Sequence, residues 1–308
     1  MKLAEKSFFQ VSKTHKIFYQ VFGKKNGVPI IFLHGGPGGR AKTDYLDYFE
    51  EDSKVKAVLF DQRGCGESQP LGETEENTTF DLIEDIEKLR QHLNLSKIYL
   101  FGSSWGSTLT LLYAEKYPQN TKGLFLKSVF LAREKDIDWV YSKKGAYKIF
   151  PDKYEDLLNF MKKKNLNWRQ IIDYADKILK KGRVEEKRKI VKLLYGLEGS
   201  LYRLDVPIGK LKKEDIDEKM IASAKIYFHY LANNFFLKED QILKNILRIK
   251  QIPAVILHGR YDMLCPLEGA YTLHKRLSKS QLFITNYAGH SIGWDGKMWL
   301  KEKIKTIL

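Results

Sequence analysis

A serine flanked by two glycines lies where the sequence could present a nucleophile. Gly102, Ser104 and Gly106 form the pattern G-x-S-x-G. The apolar run 97–101 before it predicts a buried strand, and the run 109–114 after it predicts a helix. In such a strand–turn–helix the serine occupies a strained turn with its Oγ exposed, and side chains two positions away would crowd it. We therefore expect Ser104 to act as a nucleophile.

A glycine-rich turn earlier in the chain could supply hydrogen-bond donors to that serine. Residues 34–39 read His-Gly-Gly-Pro-Gly-Gly and directly follow the apolar run 29–33. Such a turn leaves backbone N–H groups free to point at an anion. A hydrolase stabilises its tetrahedral intermediate with one N–H from the residue after the nucleophile and another from an earlier glycine loop. The turn is a candidate for the second part of this oxyanion hole.

Two further residues complete an arrangement that runs serine, acid, histidine along the chain. Asp262 follows the apolar run 252–257 in a Gly-Arg-Tyr-Asp turn, and His290 follows the run 281–284 beside Gly289. The interval between them leaves room for one helix and one strand. We expect Ser104 to attack, His290 to accept and return the proton, and Asp262 to orient the imidazole.

Strand and helix patterns alternate along most of the chain. The predicted strands lie at 8–11, 16–22, 29–33, 55–60, 97–101, 123–126, 252–257 and 281–284. Predicted helices cover 79–93 and 267–277, and a closing helix runs to 308. This alternation predicts an α/β fold with a mostly parallel sheet and helices on both faces. Residues 133–240 have helical spacing with almost no strands, so we expect a helical cap inserted into a core of 1–132 and 241–308.

The loop 61–66 reads Asp-Gln-Arg-Gly-Cys-Gly and follows the predicted strand 55–60. In open α/β sheets the ligand site lies at this end of the strands. We expect Asp61 and Arg63 to tie down the floor of the site by hydrogen bonds rather than to take part in the chemistry.

Composition narrows the class of protein further. The 308 residues are 43% apolar and 30% charged, which is typical of a globular protein. No apolar run is long enough to span a membrane, and no signal-peptide core follows Met1, so we expect a cytoplasmic protein without a membrane partner. The net charge of +15 comes from dispersed lysines without a nucleic-acid-binding module. The sequence contains no phosphate-binding loop and no metal-ligand spacing, so no cofactor or metal is predicted.

Five segments together resemble the proline iminopeptidases, a family of α/β-hydrolases that remove N-terminal proline from peptides. They are HGGPGG at 34–39, DQRGCG at 61–66, SWGS at 104–107, GRYDMLCP at 259–266 and AGHS at 288–291. The resemblance covers nearly the whole chain. It implies the α/β-hydrolase fold, a triad of Ser104, Asp262 and His290, and small peptide substrates with a free N-terminus. It further implies that Trp105 and the Gly35–Gly36 region supply the oxyanion N–H groups.

The resemblance is weaker where the family recognises the substrate amine. A free, cationic N-terminus calls for carboxylates, and the family resemblance suggests two glutamates. Glu198 corresponds to the first, and Tyr227 stands in place of the second, just before His229 and Tyr230. We therefore expect Glu198, Tyr227 and His229 to form the substrate-binding set.

Hypotheses from two classes follow from these residues. The first is a serine hydrolase, foremost a proline iminopeptidase, with a relaxed-specificity aminopeptidase or a small-ester hydrolase as the alternative. The second is a non-catalytic binding protein that has kept the fold. Labelling of Ser104 by a fluorophosphonate would separate the two classes. The sequence predicts no particular oligomeric state.

Overall fold

The computed structural model describes residues 1–50, 54–203, 211–212 and 214–308. Its strands form one eight-stranded sheet in the spatial order β1-β2-β4-β3-β5-β6-β7-β8. The strands are β1 (Leu3–Gln10), β2 (Lys16–Gly23), β3 (Val28–Leu33), β4 (Val55–Phe60), β5 (Ile98–Ser103), β6 (Thr121–Lys127), β7 (Ala254–Gly259) and β8 (Ser280–Thr285). β2 pairs antiparallel with both β1 and β4, and the other neighbours are parallel. The predicted α/β fold with a mostly parallel sheet is confirmed.

Ten α-helices accompany these strands in the described part of the chain. They are α1 (Thr79–His92), α2 (Trp105–Lys116), α3 (Glu134–Tyr141), α4 (Glu155–Lys164), α5 (Trp168–Lys181), α6 (Val184–Tyr202), α7 (Glu218–Ala232), α8 (Gln241–Lys244), α9 (Leu267–Arg276) and α10 (Trp294–Ile307). None of the helices in the described ranges is long and apolar enough to cross a membrane.

Two hydrophobic clusters cover the two faces of the sheet. Leu100 and Phe101, successive residues of β5, belong to different clusters because side chains alternate across a strand. One cluster includes α1 and α2, and the other includes α10 and the short 3-10 helix Thr43–Tyr48. All six residues of β5 are buried, which explains why this strand is a continuous apolar run in the sequence.

β1 differs most from its predicted bounds. The apolar run predicted a strand at 8–11, but the strand runs from Leu3 to Gln10 and is largely exposed. Its backbone pairs with β2 over nearly its whole length, and this pairing does not require apolar side chains. An edge strand with one neighbour therefore extends over charged residues that hydrophobic patterning cannot assign.

Helices α3 to α8 lie in the chain between the neighbouring strands β6 and β7. We refer to residues 133–240 as the helical segment; 204–210 and 213 within it lie outside the described residues, and the described part of it contains no strand. Within the segment α7 packs against both α5 and α6, and beyond it α8 packs against α2 of the sheet region.

Candidate active site

Ser104 sits in the turn between β5 and α2 with a backbone conformation that few residues adopt. Its φ of 56° and ψ of −125° give it a positive φ, which strains a residue with a side chain. The flanking glycines permit the turn: a Cβ on Gly106 would lie 1.9 Å from the Leu33 carbonyl oxygen, and one on Gly102 would lie 2.2 Å from the Gly106 oxygen. The sequence pattern thus corresponds to a real steric requirement.

The glycine-rich turn lies directly against this serine, and we call residues 34–39 the oxyanion loop. A Cβ built on Gly35 would come within 3.3 Å of Ser104 Cβ and 3.9 Å of its Oγ. Gly36, with φ of 123°, lines the same pocket as Ser104. The N–H of Trp105 begins α2 and has no intrahelical acceptor. Backbone N–H groups from two separate elements are thus available beside the nucleophile.

A buried network joins the oxyanion loop to the start of α2 through Gln62. The Gln62 side chain donates to the His34 carbonyl (2.9 Å) and accepts from the Trp105 indole N–H (3.0 Å). The Gln62 backbone N–H donates to His34 Nε2 (3.0 Å), and the Nδ1–H of that ring faces the Gly35 carbonyl at 2.9 Å. Burial lowers the pKa of His34, so the ring stays neutral in this tautomer. No sequence motif indicates this role for Gln62.

The rest of the 61–66 loop is held as a rigid floor. Asp61 accepts hydrogen bonds from the backbone N–H groups of Ala41 (2.7 Å) and Glu67 (2.9 Å). Arg63 makes a bidentate pair with buried Asp85, at 2.6 and 2.7 Å. These contacts have the structural character that the sequence predicted for Asp61 and Arg63.

His290 and Asp262 form a close pair at the ends of β8 and β7. His290 Nδ1 lies 3.0 and 2.8 Å from the two carboxylate oxygens of Asp262. The carboxylate also accepts from the N–H groups of Leu264 (3.0 Å) and Cys265 (2.8 Å). Burial alone would raise the pKa of Asp262, but His290, His258 and the hydrogen bonds outweigh it and hold the pKa below its usual range. Asp262 is therefore an ionised acceptor that fixes the imidazole tautomer.

Ser104 Oγ lies near this pair, with the thiol of Cys265 beside it. Its hydrogen-bonding neighbour among the described residues is Cys265 Sγ at 3.9 Å, and no hydrogen bond joins it to His290. Catalytic hydrogen bonds are often long before substrate binds, so this spacing is compatible with a nucleophile–base pair. The arrangement brings all three predicted triad residues to one edge of the sheet.

Asp262, Cys265 and His290 are also the one group in the described ranges whose atoms are spaced closely enough to hold a metal ion, within 4.8 Å of one another. Burial and the neighbouring Asp262 raise the pKa of the Cys265 thiol well above its usual value. A thiol kept protonated is a poor ligand, and Asp262 is already committed to His290. The donor set therefore fits a metal ion badly.

A small pocket opens beside Ser104. Its walls come from both the sheet region and the helical segment. The lining residues are Gly36, Ser104, Phe130, Asp136, Ile137, Val140, Tyr141, Glu198, Tyr227, Leu231, Phe235, Leu264 and Cys265. The pocket is thus mainly apolar with a few polar groups.

Glu198 is the carboxylate in the pocket lining that forms no ion pair with a described residue. The Tyr141 hydroxyl donates a hydrogen bond to Glu198 Oε1 and lies 3.3 Å from the Tyr227 hydroxyl. Asp136, the other acid in the lining, is paired with buried Arg133 at 2.7 Å. Burial raises the pKa of Glu198 to about 7, although the two tyrosine hydroxyls and His290 partly offset this. Tyr141 has no sequence motif and was missed by sequence analysis.

Comparison with known proteins shows the family of the chain. A model of the alpha/beta hydrolase fold family matches residues 28–297. The chain is 44% identical to a protein of Leptolyngbya boryana named "Probable proline iminopeptidase", over 92% of this chain and 87% of that one. It is 38% identical to the proline iminopeptidase of Arabidopsis thaliana, over 97% of this chain and 79% of that one. The chain belongs to the proline iminopeptidase family of α/β-hydrolases.

Solved structures show the same fold at lower sequence identity. An esterase from Exiguobacterium antarcticum superposes with a TM-score of 0.66 at 18% identity, over 98% of both chains. A proline iminopeptidase-related protein from Thermus thermophilus has a TM-score of 0.58 at 18% identity, over 100% of this chain and 98% of that one. The resemblance to the proline iminopeptidase family found in the sequence is confirmed by the relatives, and the α/β-hydrolase fold by these structures.

One predicted substrate-binding residue of this family member lies elsewhere. His229 is not among the described residues that line the pocket. Its Nε2 faces the Asn77 carbonyl at 3.0 Å, and its Nδ1 faces Lys180 Nζ at 3.3 Å. The neighbouring Tyr230 donates to Asn77 Oδ1 and packs edge-on against Trp105. Helical periodicity thus turns His229 toward the sheet region, whereas Tyr227, two positions earlier, faces the pocket.

Another aromatic residue approaches the triad from the helical segment. The ring of Tyr202, the last residue of α6, meets the His290 ring edge-on at 5.3 Å between centroids. The sequence carries no motif that would indicate this contact. Glu198 lies one helical turn earlier, so α6 spans the site from the pocket carboxylate to the imidazole.

Proposed function

We propose that this protein is a serine exopeptidase that releases N-terminal proline from small peptides through an acyl-enzyme on Ser104. One observation carries the proposal: a single pocket contains both the strained Ser104 and the carboxylate of Glu198. A nucleophile alone would suit many hydrolases. A nucleophile beside a half-buried carboxylate suits a substrate whose reacting carbonyl is close to a positive charge, as in an N-terminal residue.

In the acylation step, His290 Nε2 accepts the hydroxyl proton as Ser104 Oγ attacks the carbonyl carbon of the first residue. The imidazolium that forms is stabilised by Asp262, which holds the opposite ring nitrogen. The carbonyl oxygen becomes an oxyanion and accepts from the N–H of Trp105 and those of the Gly35–Gly36 region. His290 then protonates the leaving amine, the peptide bond breaks, and the first residue remains esterified to Ser104.

Deacylation repeats these roles with water as the nucleophile. His290 removes a proton from water, the hydroxide attacks the ester carbonyl, and the same N–H groups bind the oxyanion. Collapse of the intermediate breaks the bond to Ser104, which regains its proton from His290. The free amino acid leaves, and the enzyme returns to its starting state without a cofactor.

Glu198 is the residue that we assign to recognition of the free N-terminus. An ammonium group entering this partly dry pocket loses hydration, and an ionised carboxylate compensates for that loss. Tyr141 and Tyr227 hold the carboxylate in place by their hydroxyl groups. Tyr227 itself offers a neutral hydroxyl or an aromatic face, which stabilises a cation less than a carboxylate does.

We also propose that residues 133–240 act as a cap over a core of 1–132 and 241–308. The pocket lining supports this division, since Asp136, Ile137, Val140 and Tyr141 come from α3, Glu198 from α6, and Tyr227 and Leu231 from α7. The core contributes the nucleophile and the oxyanion loop. The cap would then decide which substrates reach a fixed catalytic edge.

We propose that the protein works in the cytoplasm. The support is its cysteine usage: Cys65 and Cys265 are both free thiols, and both are buried. Reduced cysteines without disulfides are the usual pattern in a reducing compartment.

A relaxed-specificity aminopeptidase is the second candidate, and Tyr227 favours it. A pocket with one uncompensated carboxylate holds the substrate amine less firmly than one with two. Primary amines or uncharged acyl groups would then compete more effectively with proline. A small-ester hydrolase is the limiting case, in which a substrate amine contributes nothing to binding.

Parallel turnover assays distinguish these activities. A prolyl arylamide, an alanyl arylamide, an N-acylated prolyl arylamide and a short acyl ester are compared by kcat/KM, and a fluorophosphonate probe reports the fraction of reactive Ser104. We expect the prolyl substrate with a free amine to be preferred by tenfold or more over its acylated form, on the order of one charged hydrogen bond. Good ester turnover without cleavage of free prolyl substrates would contradict the aminopeptidase assignment.

A further inference from the structure

α7 lies unusually close to three turns at the edge of the sheet. A Cβ on Gly38 of the oxyanion loop would lie 2.2 Å from the Ser223 carbonyl oxygen. A Cβ on Gly64 would lie 2.7 Å from Ile226 Cδ1, and one on Gly72 would lie 2.9 Å from Ala222 Cβ. The contact at Gly38 would be with backbone, and all three glycines have a positive φ (89°, 70° and 70°), so these turns require glycine. α7 is therefore seated on the oxyanion loop and its neighbours.

A chain of two hydroxyl groups reinforces this contact. Ser223 Oγ lies 2.6 Å from the Gly38 carbonyl oxygen, and the Tyr195 hydroxyl of α6 lies 3.1 Å from Ser223 Oγ. A carbonyl oxygen only accepts, so the Ser223 proton points to Gly38, and Tyr195 must donate to Ser223. Burial raises the pKa of Tyr195, so its hydroxyl remains a donor. The chain thus has a single direction, from α6 through α7 to the oxyanion loop.

The carbonyl of Gly38 cannot move without disturbing the residues next to Ser104. A Cβ on Gly36 would lie 2.6 Å from the Gly39 nitrogen and 2.7 Å from the Gly38 nitrogen. A Cβ on Gly39 would lie 2.4 Å from the Gly35 carbonyl oxygen. The loop is thus folded tightly on itself, and displacement at one end reaches the other.

We propose that Ser223 and Tyr195 are positioning residues that hold the oxyanion loop in its catalytic geometry. The proposal rests on the proposed function, since it assumes that the Gly35–Gly36 region binds the oxyanion. Neither side chain lines the pocket among the described residues, so neither is expected to touch the substrate. Tyr195 lies three residues before Glu198 on α6, so one helix carries both the amine-binding carboxylate and the start of this hydrogen-bond chain.

Ser223→Ala tests the proposal on a prolyl arylamide. We expect kcat to fall about tenfold with KM within about twofold, because oxyanion donors act mainly in the transition state. The kcat is expressed per Ser104 labelled by a fluorophosphonate, so that partial unfolding does not count as lost activity. Ser223→Thr, which keeps a hydroxyl, should recover most of the kcat. Ser200→Ala is the matched control and should leave kcat unchanged, since within the described ranges Ser200 Oγ bonds to the Leu197 carbonyl of its own helix (2.6 Å).

Tyr195→Phe tests whether the two hydrogen bonds act as one chain or independently of each other. We expect a smaller loss of kcat, about two- to fivefold, and almost no further loss when it is added to Ser223→Ala. Tyr195→Phe removes one hydroxyl and keeps the ring, so it also serves if Ser223→Ala does not fold.

Two results would overturn the proposal while leaving the proposed function intact. One is an unchanged kcat per labelled site in Ser223→Ala, with only the melting temperature lowered. The other is a double variant whose loss of kcat equals the product of the two single losses. Failure of the proposed function gives a different result, since the wild-type protein would then not cleave the prolyl substrate at all.

Discussion

The two ends of the pocket are built by different means. Around Ser104 the groups are fixed by backbone: a strained φ/ψ pair, glycines without room for a Cβ, and N–H groups that bind Asp262. Around Glu198 the groups are fixed by side chains, since hydroxyls from α3 and α7 hold the carboxylate on α6. At the Ser104 end, even one added Cβ would disrupt the geometry. At the Glu198 end, a single side-chain substitution would alter one contact and leave the others in place.

This difference has a functional consequence. Bond breaking at the Ser104 end requires atoms placed within fractions of an ångström. Backbone groups hold this placement well, because they are already ordered in the folded protein and lose little further entropy when the substrate reacts. The amine-binding end requires only a charge in a partly dry site. We therefore expect losses in kcat from changes at the Ser104 end and losses in KM from changes at the Glu198 end.

Ser104→Ala tests the backbone-built end at its centre. We expect kcat to fall by about 10⁴-fold or more, and His290→Ala to cause a similar loss. The double variant should be no worse than either single one, because the residues act as a unit. Melting curves check that the fold is retained. Residual activity above about a tenth of wild type in Ser104→Ala would show that another group is the nucleophile.

Asp262→Asn examines the same end through the imidazole tautomer. An amide cannot accept from His290 Nδ1–H with the same strength and favours the wrong tautomer, so we expect kcat to fall by about 10³- to 10⁴-fold. The matched control is Asp295→Asn, an exposed acid in the first turn of α10. Full activity in the first variant with loss in the second would reverse the assignment of the acid.

Glu198→Gln examines the side-chain-built end. We expect KM for a free prolyl arylamide to rise about tenfold, in line with a lost charged hydrogen bond of about 1.5–3 kcal/mol. Hydrolysis of an uncharged ester should be nearly unchanged. Glu218→Gln, which neutralises an exposed acid at the start of α7, is the control for net charge. An equal loss on both substrates would place Glu198 in the chemistry rather than in recognition of the amine.

The same carboxylate predicts a pH dependence confined to substrates with a free amine. The pKa of Glu198 is raised to about 7, so the carboxylate is charged above that pH and becomes neutral as pH falls below it. KM for the prolyl arylamide should therefore rise by several-fold between about pH 7 and pH 6. The KM of an uncharged ester is the internal reference and should stay flat. A flat KM for both substrates would show that the amine is not held by a titrating carboxylate.

Tyr141→Phe should produce the smallest effect of the series. The Tyr141 hydroxyl donates to Glu198 and lowers its pKa, so its removal raises that pKa further. We expect the acid limb of KM to move to higher pH, with kcat above that limb unchanged. A fall in kcat at all pH values would indicate that Tyr141 supports the catalytic end as well.

These two ends also differ in how far the sequence predicted them. The G-x-S-x-G pattern and the glycine loop predicted the positions of Ser104 and Gly35, because tight turns impose residue types at fixed spacing. Tyr141 comes from α3 and meets Glu198 only through the packing of separate helices, so no local pattern contains that contact. His229 lies only two residues after Tyr227 but faces the sheet region, because residues two apart on a helix point to different sides. The parallel strands were readable as apolar runs, whereas the charged part of β1 was not.

The place where the helical segment enters and leaves the sheet has a consequence for protein engineering. β6 and β7 are hydrogen-bonded parallel neighbours, so the intervening chain leaves β6 at Lys127 on one edge of the sheet and returns on the opposite edge at Ala254, which pairs with Leu124. The entropy of closing such a connection grows only slowly with its length. Segments of different length can therefore be exchanged between these two strands while the register of the sheet is retained. Chimeras that keep β6, β7, the Arg133–Glu268 ion pair and the hydrogen bonds from Tyr195 and Ser223 to Gly38 offer a direct way to transplant new substrate preferences onto an unchanged nucleophile.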